Sequence, residues 1–461
     1  MNKIRFFALS CAVAVAVSPA SALEWTTMGA QAMGMGGAGV ANIQGPEAVY
    51  WNPAALGRPS MNAYGLAVPV SVQVNVQGSV VAGAKDLQQC TNGSCNSTQV
   101  TNALNELRGG GLNADVGGGG SLKIGKFTAF LNGYVVAGAG AGNIDTVNVT
   151  PGTINNNQSN LIVRGARIAE LGLGYGHELP WVPGLYLGGD VKAMRADVGY
   201  DRFYIVKNNG VGSNVVSSFN SSNNNASSGN LGVDAGALWD LDKTFNGVSW
   251  SPRLGVTGRN LNNPKFDNPS SAATDGVSGK FAINPTVRSG LSFAPFHWWR
   301  FAADADLTRN LTPLDGYADQ EVGAGTEIDV FNRSWINIPI RAGIKHNMAQ
   351  TSNGATFTAG SGVNLLHLII DVSGEVGNQS IVIQNQGNTT RIPREVGGAV
   401  QLSFLFGGSE EKYRRVEGSD ADIQPVTSDH ARADMPSSDA ARVRADADKA
   451  QQELNSQPSG N

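Results

Sequence analysis

The feature that most constrains the fold of this chain is an alternation of apolar and other side chains with a period of two residues. Between 335 and 345 one face carries only aliphatic residues, namely Ile336, Ile338, Ile340, Ala342 and Ile344. The opposite face carries polar residues, glycine and proline, and the same alternation recurs at 185–194, 231–240, 299–308 and 366–375. A period of two is typical of β-strands with two different environments on their faces. The sequence therefore predicts an all-β protein.

Composition narrows the class of β protein. The 461 residues include 59 glycines, but charged residues make up only 15%, which is sparse for a soluble surface. The 33 Lys and Arg residues form no basic run, so nucleic-acid binding has no electrostatic support. Outside the N-terminus no stretch reaches 18 uninterrupted apolar residues, which argues against a helical membrane protein.

The spacing of the strands favours a barrel over a soluble sandwich, although the alternation alone fits both. We count about 14 strands, near 62–75, 112–123, 126–139, 161–176, 185–198, 229–240, 251–261, 279–294, 298–309, 320–331, 335–347, 355–363, 365–376 and 394–406. Most of the long gaps, such as 76–111 and 199–228, alternate with short ones such as 295–297 and 332–334. Long loops alternating with tight turns are typical of outer-membrane barrels. The prediction is a 14-stranded antiparallel transmembrane β-barrel at 61–407, with both termini in the periplasm.

Tryptophan supports this orientation. Six of the eight tryptophans lie at or beside short gaps, at Trp181, Trp239, Trp250, Trp298, Trp299 and Trp335. Tryptophan prefers the membrane–water interface, so these residues predict an aromatic girdle at the periplasmic end. The alternative is that they cap a soluble core.

The N-terminus indicates export. Lys3 and Arg5 precede the apolar run 6–17, and Ala20-Ser21-Ala22 forms a small-residue cleavage site. Residues 1–22 are therefore predicted to be a secretory signal peptide. In the exported chain Cys90 and Cys95 are then the only cysteines, and we expect them to form a disulfide within one loop.

Residues 23–60 are rich in Gly, Ala and Met and contain the run GMGGAG at 34–39. This run lacks the Lys-Ser/Thr of a phosphate-binding loop and no βαβ unit follows it. Its glycines Gly34, Gly36 and Gly37 instead favour a tightly folded segment in a confined space. Asn52-Pro53 predicts a fixed turn before the first strand.

Three consecutive features of this region resemble the start of the FadL/TodX family of outer-membrane transporters. They are MGAQAMGMGGAGVA, then AVYWNPAAL, then an alternating strand. The resemblance implies an N-terminal hatch at 23–60 that plugs the barrel, and a hatch turn formed by Asn52, Pro53 and Ala54. The stretch GRNLNNPKF at 258–266 is generic to the wider superfamily. The same opening is shared by TraF-type conjugal-transfer proteins and by barrel subunits of secretion systems, so it specifies the fold better than the cargo.

Residues 408–461 differ from the rest of the chain. They hold 18 charged residues in 54 and almost no large apolar ones, so they cannot bury a core. We predict a periplasmic tail that is disordered or weakly helical. The apolar spacing from Ser438 to Leu454 fits a weak coiled-coil seam for a protein partner, or a solvated helix.

No catalytic constellation is present. The five histidines form no metal pattern and no GxSxG motif occurs, so we predict neither catalytic residues nor a metal site, and no cofactor. His367, Asp371 and Glu375 share a face and are interpreted as polar lining rather than a hydrolase site. Other charged lumen candidates can pair across the interior; they are Asp190, Asp234, Arg259, Asp304, Asp306, Arg341 and Lys345.

The sequence thus predicts a passive outer-membrane transporter of hydrophobic molecules such as long-chain fatty acids or aromatic hydrocarbons. Arg341 and Lys345 are candidate contacts for a ligand carboxylate. The expected partners are outer-membrane lipid, a hydrophobic small molecule and a periplasmic protein bound by the tail, with no nucleic acid. The alternative is a structural barrel that anchors a conjugation or secretion assembly.

Overall fold

The structure is a computed structural model that describes most of the chain between Leu23 and Phe406. The described residues are 23–58, 64–90, 94–206, 222–245, 247–277, 279–296, 298–314, 316–333, 335–350, 353–385 and 388–406. The predicted signal peptide at 1–22 and the predicted tail at 408–461 lie outside these residues.

Fourteen antiparallel strands close into one barrel. They are β1 (Tyr64–Gln77), β2 (Gly111–Ile124), β3 (Phe127–Ala141), β4 (Asn160–Glu178), β5 (Leu185–Tyr204), β6 (Asn225–Asp240), β7 (Arg253–Arg259), β10 (Thr286–Phe296), β11 (Trp299–Asp306), β14 (Glu321–Arg333), β15 (Ile336–Asn347), β16 (Ala355–Leu365), β17 (Leu368–Gly377) and β20 (Glu395–Phe406). The first and last strands pair from Tyr64↔Phe406 to Asn75↔Glu395. This pairing removes both free edges of the sheet and confirms the predicted fourteen-stranded barrel.

Six short strands form three hairpins in the connections. They are β8 (Lys265–Phe266) with β9 (Phe281–Ala282), β12 (Asn310–Leu311) with β13 (Ala318–Asp319), and β18 (Ser380–Asn385) with β19 (Asn388–Pro393). These hairpins were not predicted, and the two-residue strands β8, β9, β12 and β13 are too short to show any alternation.

Short helices account for the remaining regular structure. They are α1 (Ala30–Gly34), α2 (Ala48–Trp51), α3 (Val80–Cys90), α4 (Ser97–Leu107), α5 (Leu241–Thr244) and α6 (Ser270–Thr274), with 3₁₀ helices at Gly45–Glu47, Pro53–Gly57 and Ile154–Asn156. None of the helices in the described residues is long and apolar enough to cross a membrane.

The apolar face of each alternating strand points outward. On β15, Ile340 and Ile344 are 49% and 44% exposed, whereas their neighbours Arg341 and Lys345 are each 3% exposed and face the interior. The same reversal holds on β1, where Val70 is exposed and Ser71 is buried. Apolar side chains outside and polar ones inside are the pattern of a barrel that crosses a lipid bilayer.

The two ends of the barrel differ in the length of their connections. The short-turn end has the connections 125–126, 179–184, 241–252, 297–298, 334–335 and 366–367. The long-loop end has 78–110, 142–159, 205–224, 260–285, 307–320, 348–354 and 378–394. The six predicted girdle tryptophans lie at the short-turn end, where Trp181, Trp250 and Trp335 are more than half exposed.

The wall is taller on one side than on the other. Strands β4 and β5 have 19 and 20 residues, whereas β7 has seven. Because β7 is short, the part of β6 nearest the long loops has no partner in β7. The loop that follows β7 contacts it there, through the bond from Asn262 Nδ2 to the carbonyl of Leu231 (2.7 Å). Beside the tall side, α3 and α4 pack with the loop 142–159 into an apolar cluster that includes Leu87, Leu104 and Ile154.

The topology generates a test of orientation. If both termini are periplasmic, the long loops face the cell exterior. A protease site inserted beside Asn224 should then be cut on intact cells, and one inserted at Gly184 should be protected. Cleavage at Gly184 without cleavage at Asn224 would reverse the orientation. Western blotting of the fragments reads out both variants.

Candidate functional site

The lumen is occupied by the segment 23–58, called the hatch below. It contains α1, α2 and two 3₁₀ helices, and almost all of its residues are buried. Its own core is aromatic: the ring centroids of Trp25, Tyr50 and Trp51 lie 5.7–6.2 Å apart. Trp51 Nε1 donates to the carbonyl of Met28 (3.0 Å). Aromatic packing and the backbone hydrogen bonds of its short helices thus give this segment a defined shape.

The hatch meets the wall backbone against backbone at one side of the barrel. A Cβ placed on Gly325 of β14 would lie 2.5 Å from the backbone of Met35. A Cβ on Gly36 would lie 2.6 Å from the carbonyl oxygen of Ala324, and Gly36 also has a φ of 71°. Only glycine meets both requirements without strain. This contact explains part of the unusually high glycine content.

A second glycine-lined contact holds the end of the hatch that leads into β1. Cβ atoms on the wall residues Gly176 and Gly188 would collide with the carbonyl of Pro53. Next to it, Asn52 Nδ2 donates to the carbonyls of Ala237 (3.0 Å) and Val40 (3.2 Å). Asn52 Oδ1 also accepts from the backbone N–H of Ala54 (3.1 Å) and caps the 3₁₀ helix. The Asn-Pro-Ala turn therefore joins the hatch to the wall.

Side chains of the wall also hold the glycine-rich run. Asp304 Oδ2 accepts from the backbone N–H groups of Gly39 (2.7 Å) and Val40 (2.9 Å). Ser292 Oγ donates to the carbonyl of Ala41 (3.0 Å). Hydrogen bonds of backbone N–H groups to a buried carboxylate are strong, so Asp304 is a principal anchor of the hatch.

Ion pairs line the lumen around the hatch, as predicted for most of the lumen charges. The pairs are Arg341 with Glu327 (2.5 Å) and Asp371 (2.6 Å), Arg300 with Glu327 (3.2 Å), Lys345 with Glu321, Glu375 and Glu395 (2.9–3.1 Å), Arg288 with Asp306 (2.6 Å), Lys192 with Glu170 and Asp234 (3.1 and 2.8 Å), and Arg259 with Glu170 and Asp234 (3.5 and 3.6 Å). Among the described lumen charges there are two exceptions. Asp304 binds backbone N–H groups of the hatch instead of a cation, and both carboxylate oxygens of Asp190 lack a hydrogen-bond partner.

The two candidate ligand contacts, Arg341 and Lys345, lie on the lumen face of β15 and are buried. Both already bind carboxylates of the chain itself. A ligand carboxylate would have to displace one of these partners and leave it unpaired, which is costly in a buried site. Their role in ligand binding stays a prediction.

The sequence did not reveal the surroundings of Arg259. Its guanidinium lies 4.1 Å from the ring centroid of Tyr50, 5.2 Å from that of Trp25 and 5.8 Å from that of Tyr134. Two of these rings belong to the hatch, so the wall arginine contributes cation–π attraction to hatch binding. Position on a lumen face was the only signal in the sequence, and it does not identify the rings.

A polar cavity of about 50 Å³ remains between the hatch and the wall. It is lined by Gln31, Gln44 and Glu47 of the hatch and by Gln401 and Ser403 of β20. Burial raises the pKa of Glu47 to about 8, with a further increase from Asp371 and an opposing effect from Arg341. Glu47 therefore keeps its proton at neutral pH while the hatch is seated.

A larger, apolar cavity of about 380 Å³ lies on the outer face of the tall side. Its lining includes Leu112, Val135, Ala137 and Val163, which occupy the outward-facing positions of β2, β3 and β4. A cavity of this size and character suits a small hydrophobic molecule.

At the long-loop end, Cys90 and Cys95 are joined by a disulfide that links the end of α3 to the residues just before α4. Within the part of the chain that the structure describes, no group of three or more His, Cys, Asp or Glu residues is arranged to hold a metal ion.

The glycine contacts generate a test of hatch seating. Replacing Gly325 by Ala places a methyl group against the backbone of Met35, and overpacking of this kind destabilises by roughly 1–3 kcal/mol. We expect Gly325→Ala to loosen the hatch and raise single-channel conductance while the barrel still shows heat-modifiable migration. The matched control is Gly120→Ala in β2, where an added Cβ has no neighbour within 4 Å. Equal conductance in the two variants would show that the contact between Gly325 and Met35 does not help to seat the hatch.

Glu47 generates a test of pH dependence. Its pKa is about 8 when buried, above the ordinary 4.5, so a displaced hatch loses the Glu47 proton between these values while a seated hatch retains it. The stability of the seated state is therefore greatest below about pH 4.5 and falls as the pH rises towards about 8. Conductance should increase over this range in the native protein and vary less in Glu47→Gln. An identical pH profile in both would rule out this role.

Several solved structures are similar to this chain at low sequence identity. The Ralstonia pickettii toluene transporter TbuX is 12% identical with a TM-score of 0.44, covering 82% of this chain and 98% of its own. The Pseudomonas putida toluene transporter TodX is 13% identical with a TM-score of 0.45, covering 82% and 99%. A Pseudomonas aeruginosa FadL homologue is 12% identical with a TM-score of 0.42, covering 85% and 99%.

No curated protein matches the sequence. A family profile does match residues 49–306, more than half of the chain, and it describes the TraF protein of the F plasmid transfer operon. The match begins in the hatch, just before Asn52-Pro53-Ala54, and ends in β11. TraF-type proteins were among the groups that the opening motif resembled. The chain therefore belongs to the TraF family.

Proposed function

We propose that the protein is a passive transporter of hydrophobic molecules in the bacterial outer membrane, with both termini in the periplasm. The observation that supports this function most directly is the hatch. Residues 23–58 fill the lumen of a closed barrel, yet no hatch residue pairs with a barrel strand in the described sheet. A plug held by side-chain hydrogen bonds and packing can move without opening the wall.

Hatch movement requires the contacts between hatch and wall to break, including the buried ion pair between Arg58 of the hatch and Asp240 of β6 (2.9 Å). The bonds of Asp304 to Gly39 and Val40 and the cation–π contacts of Arg259 join the hatch to the wall. The ion pairs of Arg341 and Lys345 instead join wall strands to each other. A shift of the hatch can therefore release the lumen while the wall keeps its internal ion pairs.

The apolar cavity on the tall side supports the proposed cargo class. A hydrophobic molecule that reaches the long loops can enter this cavity, which opens on the outer face of β2–β4. Passage then runs through the lumen or sideways along the wall. Long-chain fatty acids and aromatic hydrocarbons both match the size and apolar lining of the cavity, and outer-membrane lipid surrounds it.

The second candidate function is a structural barrel that anchors a conjugation or secretion assembly. The matched family profile favours it, because its description refers to the F plasmid transfer operon. In this role the tail at 408–461, outside the described residues, would bind a periplasmic protein partner.

Truncation and hatch deletion separate the two functions. A transporter needs its hatch and lumen but not its tail. Ending the chain after Gly408 should therefore leave uptake of radiolabelled oleate or toluene unchanged, while deleting Met28 to Gly45 should raise conductance and abolish gating. The measurements are whole-cell uptake, planar-bilayer conductance and crosslinking to periplasmic proteins.

Measurements on the same variants can also contradict the transport function. Full-length protein that gives no uptake above cells lacking the barrel, together with crosslinked partners that disappear after truncation, would leave the assembly role. Heat-modifiable migration on gels checks that each truncated barrel has folded.

A further inference from the structure

The upper part of the lumen, towards the long loops, contains a group of carboxylates far in excess of its cations. We call it the acidic cluster, and its members are Glu24, Asp115, Asp306, Asp319, Glu321, Glu375 and Glu395. Lys345 binds three of them and Arg288 binds Asp306 and Glu321. Among the described residues, Glu24, Asp115 and Asp319 form no ion pair. The carboxyl groups of the cluster therefore outnumber the two cations, Lys345 and Arg288, that pair with them.

A cavity of about 40 Å³ lies inside this cluster. Glu24, Asp115, Asp319, Glu321 and Glu395 contribute to its lining, and so does Lys345, which already pairs with Glu321 and Glu395. The cavity is thus bordered by carboxylates from the hatch, from the wall and from the loop 307–320.

Two oxygens at the cavity lack partners although they are buried. Asp115 is 4% exposed and Asn113 is 2% exposed, and Oδ1 of each has no hydrogen-bond donor. Their other polar atoms are engaged: Asn113 Nδ2 donates to Glu24 Oε1 (2.5 Å) and to Asp115 Oδ2 (3.2 Å). Buried acceptors without donors are costly, and unpaired buried carboxylates are more so. A donor-bearing cation would satisfy both deficits.

The pKa of Glu24 reflects its burial and the repulsion between neighbouring carboxylates. Burial raises it well above its ordinary range, and the charge of Asp115 raises it further. A cation bound between the two carboxylates would remove this repulsion.

The geometry limits the kind of cation. The described carboxylates are not arranged to hold a metal ion. The cavity holds one or two groups the size of a water molecule, which admits a primary ammonium and excludes a quaternary one. An ammonium carries three N–H donors, enough for Asp115 Oδ1, Asn113 Oδ1 and a further carboxylate.

We propose that the acidic cluster binds a primary ammonium group at Asp115, Asn113 and Glu24. The ammonium can come from a free alkylamine that reaches the cavity from the long-loop end, where Tyr317 and Asp319 of the loop 307–320 line it. It can also come from the chain itself, because removal of the predicted signal peptide creates an α-ammonium on Leu23, the residue next to Glu24.

The experiment measures binding of ¹⁴C-methylammonium to purified, processed protein in detergent by equilibrium dialysis at constant ionic strength. A second protein carries Gly-Ser-Gly-Ser between Ala22 and Leu23, which moves the α-ammonium away from the cluster. Saturable binding by both proteins indicates a free amine as the natural occupant. Saturable binding only by the extended protein indicates that the chain's own α-ammonium fills the site.

Variants test the assignment of the site in the protein that binds. Asp115→Asn and Glu24→Gln should each weaken binding about tenfold or more, as expected for hydrogen bonds to charged groups. The control is Asp267→Asn, an exposed carboxylate whose partner is Lys280, and it should bind like the parent. Tetramethylammonium should not compete.

Three results would overturn the proposal. They are absence of saturable binding in both proteins, unchanged affinity in Asp115→Asn and Glu24→Gln, or equal competition by sodium or tetramethylammonium. Heat-modifiable migration verifies folding of every variant, and the two single variants lie on different segments, β2 and the hatch. The assay does not depend on transport, so its outcome is independent of the proposed function.

Discussion

The structure depends on the closure of the sheet between β1 and β20. In lipid, a strand edge with free N–H and C=O groups has no hydrogen-bond partner, and each unpaired group costs several kcal/mol. Closure satisfies these groups by joining Asn75 to Glu395 at one end and Tyr64 to Phe406 at the other. It also encloses an interior that lipid cannot reach. Every polar group inside must then find a partner in the wall, in the hatch or in a bound molecule.

The interior meets this requirement in two ways. Around β15, charged side chains pair with one another across neighbouring strands, as Lys345 does with carboxylates of β14, β17 and β20. Around the hatch, backbone groups are satisfied by wall side chains such as Asp304, and glycines allow the two backbones to approach. The acidic cluster departs from this rule, because its carboxylates outnumber the cations that bind them.

Much of the fold could be predicted from the sequence because one physical signal, period-two alternation, extends over all fourteen strands. The inward position of Arg341 and the outward position of Ile340 follow directly from it. The hatch was predicted from resemblance rather than from alternation, since Gly, Ala and Met have no periodic pattern there. The sequence could not show that Gly325 faces Met35 or that Arg259 faces Tyr50, because both contacts join residues separated by more than two hundred positions. The helices α3 and α4 were predicted only as a long loop.

The position of the hatch contacts has a consequence for assembly. The hatch precedes β1, but one of its two glycine contacts lies on β14, the tenth of the fourteen barrel strands, and its polar cavity is completed by Gln401 of β20. The hatch therefore has no complete binding surface until the C-terminal strands arrive. Once β20 has paired with β1, a folded hatch has no open edge through which to enter sideways. Seating of the plug is therefore completed only when the last strand is in place, and after closure the hatch can enter only along the barrel axis.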